Sequence, residues 1–144
     1  MKVESILKSK GRDVQTIGSK VSLVLVVHQL STRGIGALVV SDDGRRVDGL
    51  LSEREIVRGL AKHSVGLLDM QVHQVMDRSP TTCSSQDTIR HAMAEMTRTR
   101  NRHLPVVDGG SLCGLISIGD VVKHRLEELE LEALVLRDVA IRHR

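Results

Sequence analysis

The sequence contains no phenylalanine, tyrosine or tryptophan. Its core must therefore be built from Val, Leu, Ile, Met and Ala, and any base it holds has to lie between aliphatic side chains. The aromatic platforms on which single-stranded nucleic acids stack are missing. A formal net charge of only +3 adds little attraction for a polyanion. No nucleic-acid partner is expected. Cysteine is scarce as well: Cys83 and Cys113 show neither CxxC nor a metal-ligand spacing, which reads as reduced thiols packed as small apolar residues. The opening MKVESILKSKGRD has no apolar leader core, and no run approaches the roughly 18 apolar residues of a membrane span. The expected setting is the cytoplasm, with no membrane partner.

Catalytic motifs are absent too. There is no GxxxxGKS/T loop, no GxGxxG, no HExxH and no GxSxG, and the histidines are scattered. No catalytic residue, catalytic cofactor or metal is expected, and the chain reads as a non-enzyme.

What is present is an internal repeat. Ser22-Leu23, Val26-Val27 and Leu30 recur as Thr88-Ile89, Ala92-Met93 and Met96, an offset of 66. Val39-Val40 recur as Val106-Val107 at 67, and Gly49-Leu50-Leu51-Ser52 as Gly114-Leu115-Ile116-Ser117 at 65. The offset drifts only where turns absorb insertions. Each half reads as strand, helix, strand, strand, helix, with helices over Val21–Arg33 and from Ser52 to about Lys62, and strands over Gly36–Ser41 and Val47–Ser52. Half a chain of 144 residues is marginal alone, so the halves are expected to pack on each other. The division is a first repeat over residues 1–66, a second over 67–126 and a helical extension over 127–144. In that extension Val122, Leu126, Leu129, Ala133, Leu136 and Ala140 recur at steps of four and three, a heptad seam. The helix either folds back on its own core or contacts a second subunit.

Chemistry concentrates at two equivalent turns, Ser52 with Glu55 and Ser117 with Asp120. A hydroxyl followed three residues later by a carboxylate is a capping box, which needs no ligand. Asp is a poorer partner for that box than Glu, and Gly119 in the first helical turn opens space, so Asp120 is also suited to accept both hydroxyls of a ribose. Arg98, Arg100 and Arg102, with His103, form a basic cluster. It reads either as a solvated helix end or as a grip on phosphate, and parallel strands would carry Arg102 and His103 towards Ser117.

IGALVV followed by GLLSEREIVR in the first half, and MDRSPTTCSSQDTIRHAMAEM with RHLPVVDGGSLCGLISIGDVVK in the second, resemble a tandem pair of cystathionine-β-synthase (CBS) domains, a Bateman module, of the small stand-alone bacterial type. The resemblance implies a mixed α+β fold of two βαββα repeats about a pseudo-two-fold axis, usually dimeric. It implies an adenosine-containing ligand (AMP, ADP, ATP, S-adenosylmethionine or NAD(H), with AMP favoured) and a regulatory role in energy or redox sensing towards an unidentified target protein. The preferred second site would comprise Thr82, Cys83, Arg102, His103, Leu104, Pro105, Ser117, Ile118, Gly119 and Asp120. The first would comprise Thr16, Ile17, Gly36, Ala37, Leu38, Ser52, Arg54 and Glu55. There Glu55 stands where the family usually has Asp, and Ala37-Leu38-Val39 where the second repeat has Leu104-Pro105-Val106. The rival reading is a ligand-independent interaction or dimerisation module.

Overall fold

The computed structural model describes residues 1–143. The first helix, α1 (Val3–Lys10), ends at Gly11, where φ is positive. A two-residue strand, β1 (Thr16–Ile17), leads to α2 (Leu23–Arg33), whose Leu23, Val26 and Leu30 form one buried stripe. Gly34 closes α2 in the left-handed region, as a helix C-terminus favours. Strands β2 (Ala37–Val40) and β3 (Gly49–Ser52) follow, then α3 (Glu53–His63) and two short 3₁₀ turns, Ser64–Asp69 and Val72–Gln74. The second half runs α4 (Ile89–Thr99), β4 (His103–Asp108), β5 (Ser111–Ser117) and α5 (Ile118–Arg142).

The first sheet has the order β1-β2-β3, with β1 parallel and β3 antiparallel to β2. The second pairs β4 and β5 antiparallel, and the place of β1 is taken by Cys83 alone, in a parallel bridge to Val106. Its amide donates to the Pro105 carbonyl at 3.0 Å and its own carbonyl accepts from Val107 at 2.8 Å. The β4–β5 pairing corrects the parallel arrangement expected for Arg102 and His103. Antiparallel register sets His103 directly opposite Ser117.

The two repeats exchange their leading segments. Val3, Ile6 and Leu7 of α1 are buried with Ile89, Ala92, Met96, Leu104 and Ile116 of the second repeat. Leu67 and Val72, at the start of the second repeat, are buried with Leu23, Val26, Leu30 and Leu51 of the first. Equivalent backbone bonds tie each exchange. Val3 donates to Asp87 and Glu4 to Ser85 on one side, and Val72 donates to Val21 and His73 to Ser19 on the other. Even the carboxylates correspond. Asp42 accepts from the amide and hydroxyl of Ser19, while Asp108 accepts from Ser84 Oγ and the Ser85 amide. Those serines pull the Asp108 pKa down to about 2. A third apolar cluster, Ala37, Val39 and Leu50 with Val14, Leu112 and Leu115, seals the halves together.

The last helix settles one of the open alternatives. It packs on the body through Val121 and His124, and from Leu129 to its end every side chain is exposed. It does not fold back on its own core.

Candidate functional site

Ser52 and Ser117 stand at the same place in each repeat, where the last strand turns into α3 or α5. Both turns are complete capping boxes. The Ser117 amide donates to Asp120 Oδ2 at 2.9 Å, and the Asp120 amide donates to Ser117 Oγ at 3.2 Å. Asp therefore closes this box, against the expectation that it would be a poor partner, because the strand-to-helix turn brings its short side chain within reach. In the first repeat Glu55 Oε1 accepts from the Ser52 amide at 3.0 Å and from its hydroxyl at 2.7 Å. Glu55 curls back and is 6% exposed rather than reaching outward.

Asp120 has a further partner that no local pattern reveals. Lys10, at the end of α1, donates to Asp120 Oδ2 at 2.8 Å and to the Leu115 carbonyl at 2.9 Å. Burial pushes the Asp120 pKa up, but the Lys10 ammonium and the Ser117 amide outweigh it and hold the carboxyl below its usual range. It stays ionised at neutral pH.

Between the repeats lies a cleft in two chambers that share Gly36, His103 and Ser117. The larger, about 460 Å³, is lined by Ser52, Glu53 and Arg54 on one side and by Arg100–His103 and Ser117–Gly119 on the other. The N-termini of α3 and α5 both open into it, and backbone amides at such termini attract anions. The smaller, about 360 Å³, has Lys10, Gln15, Ile35, Gly36, Ala37 and Leu115 in its walls. The His103 ring lies over Gly36, 3.1 Å from where a Cβ would stand. Burial lowers the His103 pKa, with Glu53 opposing, so the ring is neutral at pH 7.

Arg54 crosses the larger chamber. It donates to the Arg100 carbonyl at 3.2 Å and to Asn101 Oδ1, and its Nε lies 3.3 Å from Glu55. Arg100 is left-handed, with φ 56°, at the position where α2 has Gly34. A side chain in that conformation costs about 1 kcal/mol. Replacing Arg100 with glycine should raise the thermal midpoint by a few degrees. A glycine variant that melts lower would refute the strain assignment.

The expected site residues divide accordingly. Gly36, Ala37, Ser52, Arg54, Arg102, His103, Ser117, Ile118 and Gly119 line the cleft, and Asp120 adjoins it through Lys10. Ile17, Leu38, Cys83 and Leu104 are buried side chains of the cores, and Pro105 is buried in β4. Burial also pushes the Cys83 thiol up to about 12, which makes it inert. Thr16 and Thr82 lie off both chambers, and Glu55 faces a separate basic groove with Arg58 and Lys62. The chamber beside Asp120 is thus walled by both repeats, by Lys10, Gln15 and Ile35 with His103, Leu115 and Ser117, and not by Thr82 and Cys83. Arg98 pairs with Glu95 on the surface and takes no part. Lys10, Gln15, Glu53, Arg100 and Asn101 are among the lining residues that no expected site included. Arg100 carried a signal in the basic cluster; Lys10 and Asn101 carried none.

Two strand–helix repeats packed about a shared polar cleft make up this architecture. The CBS domain family model matches residues 3–62 and 72–127, and the chain belongs to that family. It is 40% identical to a CBS-domain containing protein of Agrobacterium tumefaciens, over 87% of this chain and 99% of that one, with a TM-score of 0.82. It is 34% identical over 69% of its length to an uncharacterised 33.4 kDa protein of Thermofilum pendens, of which it spans only 32%. Two more distant structures share the fold: CBSX2 in complex with AMP, at 22% identity, covering 88% and 96% of the two chains with a TM-score of 0.73, and the CBS pair of protein MJ0100 with methylthioadenosine and S-adenosylmethionine, at 20%, covering 85% and 98%, also at 0.73. No helix among the described residues is long and apolar enough to cross a membrane.

Proposed function

We propose that this chain is a non-catalytic regulatory module that binds an adenosine-containing ligand in the inter-repeat cleft and, as a homodimer, signals its presence to a target protein. The observation that carries the reading is the placement of an ionised Asp120 beside the smaller chamber, with cationic and amide donors gathered in the larger one. The smaller chamber, with Ile35, Ala37 and Leu115 in its walls, suits an adenine held between aliphatic surfaces. Its volume falls in the range of ordinary ligand sites, roughly 300–1,000 Å³. In this reading Asp120 accepts the ribose hydroxyls once Lys10 swings aside. A phosphate then extends past His103 towards Arg54, Arg100 and Arg102. AMP is the favoured ligand, consistent with the AMP-bound relative; ADP, ATP, NAD(H) and S-adenosylmethionine are the alternatives. Ligand spanning both repeats would favour one arrangement of the pair by its differential affinity.

Calorimetric melts with each of these compounds test the proposal, since the chain lacks Trp and Tyr for fluorescence. A ligand at about 100 times its dissociation constant stabilises by roughly 2.7 kcal/mol, which moves the midpoint by several degrees. No shift with any of them defeats it. One observation favours the rival docking module: Asp120 is already satisfied by Lys10 and Ser117 without any ligand. That module would assemble normally and ignore nucleotides.

A further inference from the structure

From Leu129 to Arg142 the last helix leaves the body. Its final anchor is Glu128, which meets the terminal amine of Met1 at 2.6 Å and pairs with Arg125. The 14 residues beyond run for about 21 Å, and isolated helices of that length are marginal in water. This one also exposes an apolar stripe. Leu129 is 43% and Leu136 69% exposed, with Ala133 and Ala140 between and beyond them on the same face.

The stripe is self-complementary. Reversed about a point between Leu134 and Val135, Leu129 falls opposite Ala140 and Ala133 opposite Leu136, so each large residue meets a small one. Charge follows the same reversal. Glu127, Glu128, Glu130 and Glu132 precede the midpoint, and Arg137, Arg142 and His143 follow it with one acidic residue, Asp138, which pairs with Arg142. Glu130 and Arg137, seven residues apart, flank the same edge of the stripe. An antiparallel copy brings Glu130 beside Arg137 of the second chain twice over, and it sets each leucine of the stripe on an alanine, where a parallel copy would set leucine on leucine and alanine on alanine.

We infer that the projecting half of α5 is a self-association surface whose occupant is the same segment of a second copy, packed antiparallel about a two-fold axis. This deepens the homodimer part of the reading above by naming the contact. It does not depend on any ligand.

Sedimentation equilibrium of the full chain across a dilution series tests it, using Glu130→Arg, Arg137→Glu and the double variant. Each single change sets two like-charged pairs against each other and should weaken association by at least about tenfold. The double variant restores opposite charges and should return to within about threefold of the parent, as a double-mutant cycle requires. Calorimetric AMP titration of Glu130→Arg should match the parent, so failure of the contact and failure of the ligand reading remain distinct. A parent that stays monomeric, single variants that associate as the parent does, or a double variant weaker than either single would each overturn the inference.

Discussion

Replacing Asp120 with asparagine should lower AMP affinity by about 10²-fold while leaving the fold intact. Asparagine keeps the size of the side chain and an oxygen that can accept from the Ser117 amide, so the capping box survives. The charge is what disappears. A hydrogen bond to an ionised acceptor is worth about 1.5–3 kcal/mol, and on the proposed reading two ribose hydroxyls would share this one; each 1.4 kcal/mol is tenfold in affinity. Lys10→Ala separates the two roles of the carboxylate. It removes the resident cation at 2.8 Å without touching the acceptor, so AMP affinity should hold or rise. Calorimetric titration of both variants with AMP and 2′-deoxy-AMP reads the outcome. Equal affinity of the parent and Asp120→Asn for AMP would remove Asp120 from the ribose.

The largest stability effect should fall on a glycine outside the cleft lining. A Cβ on Gly49 would stand 2.6 Å from Met76 Sδ and 2.8 Å from the Asp77 carbonyl oxygen. Methionine can yield, but backbone cannot. The Asp77 carbonyl accepts from Leu50 at 3.0 Å and the Leu50 carbonyl from Asp77 at 2.9 Å, so β3 must move away from the segment it holds. Overpacking costs about 1–3 kcal/mol, and weakening the paired hydrogen bonds adds about 1 kcal/mol each. Gly49→Ala should therefore lower the melting midpoint by roughly 10 °C. Gly66→Ala is the control: nothing lies within 4 Å of its Cβ, and it should be neutral or slightly stabilising. Indistinguishable melts for the two variants would sink the argument. A Cβ on Gly114, the equivalent of Gly49, would press on Leu7 Cδ2 in the same test. The repeat is thus built so that each last strand receives the leading segment of the other half through a missing side chain.

Much of this molecule follows from local physics that a sequence exposes. The helical stripe Leu23, Val26, Leu30 and its copy Ile89, Ala92, Met96 had to be buried, because 3.6 residues per turn puts them on one face. The duplication of Gly49–Ser52 as Gly114–Ser117 required two equivalent strand-to-helix turns. Arg102, His103, Ser117 and Gly119 were legible as cleft residues, since they cluster around one such turn. Thr82, Cys83, Leu104 and Ile17 were not distinguishable from cleft residues by type, because a short strand flanked by polar turns looks alike whether its side chains face a ligand or a core. Tertiary packing alone decided that α1 and the turn Val72–Gln74 change places between the repeats, since only contact between distant segments selects which core each covers. The same packing brought Lys10 to Asp120 across 110 residues and made the chamber beside it a composite of both halves. Local sequence sets which residues are apolar, which turn and which cap a helix; electrostatic partners so far apart in the chain are chosen only once two folded repeats meet.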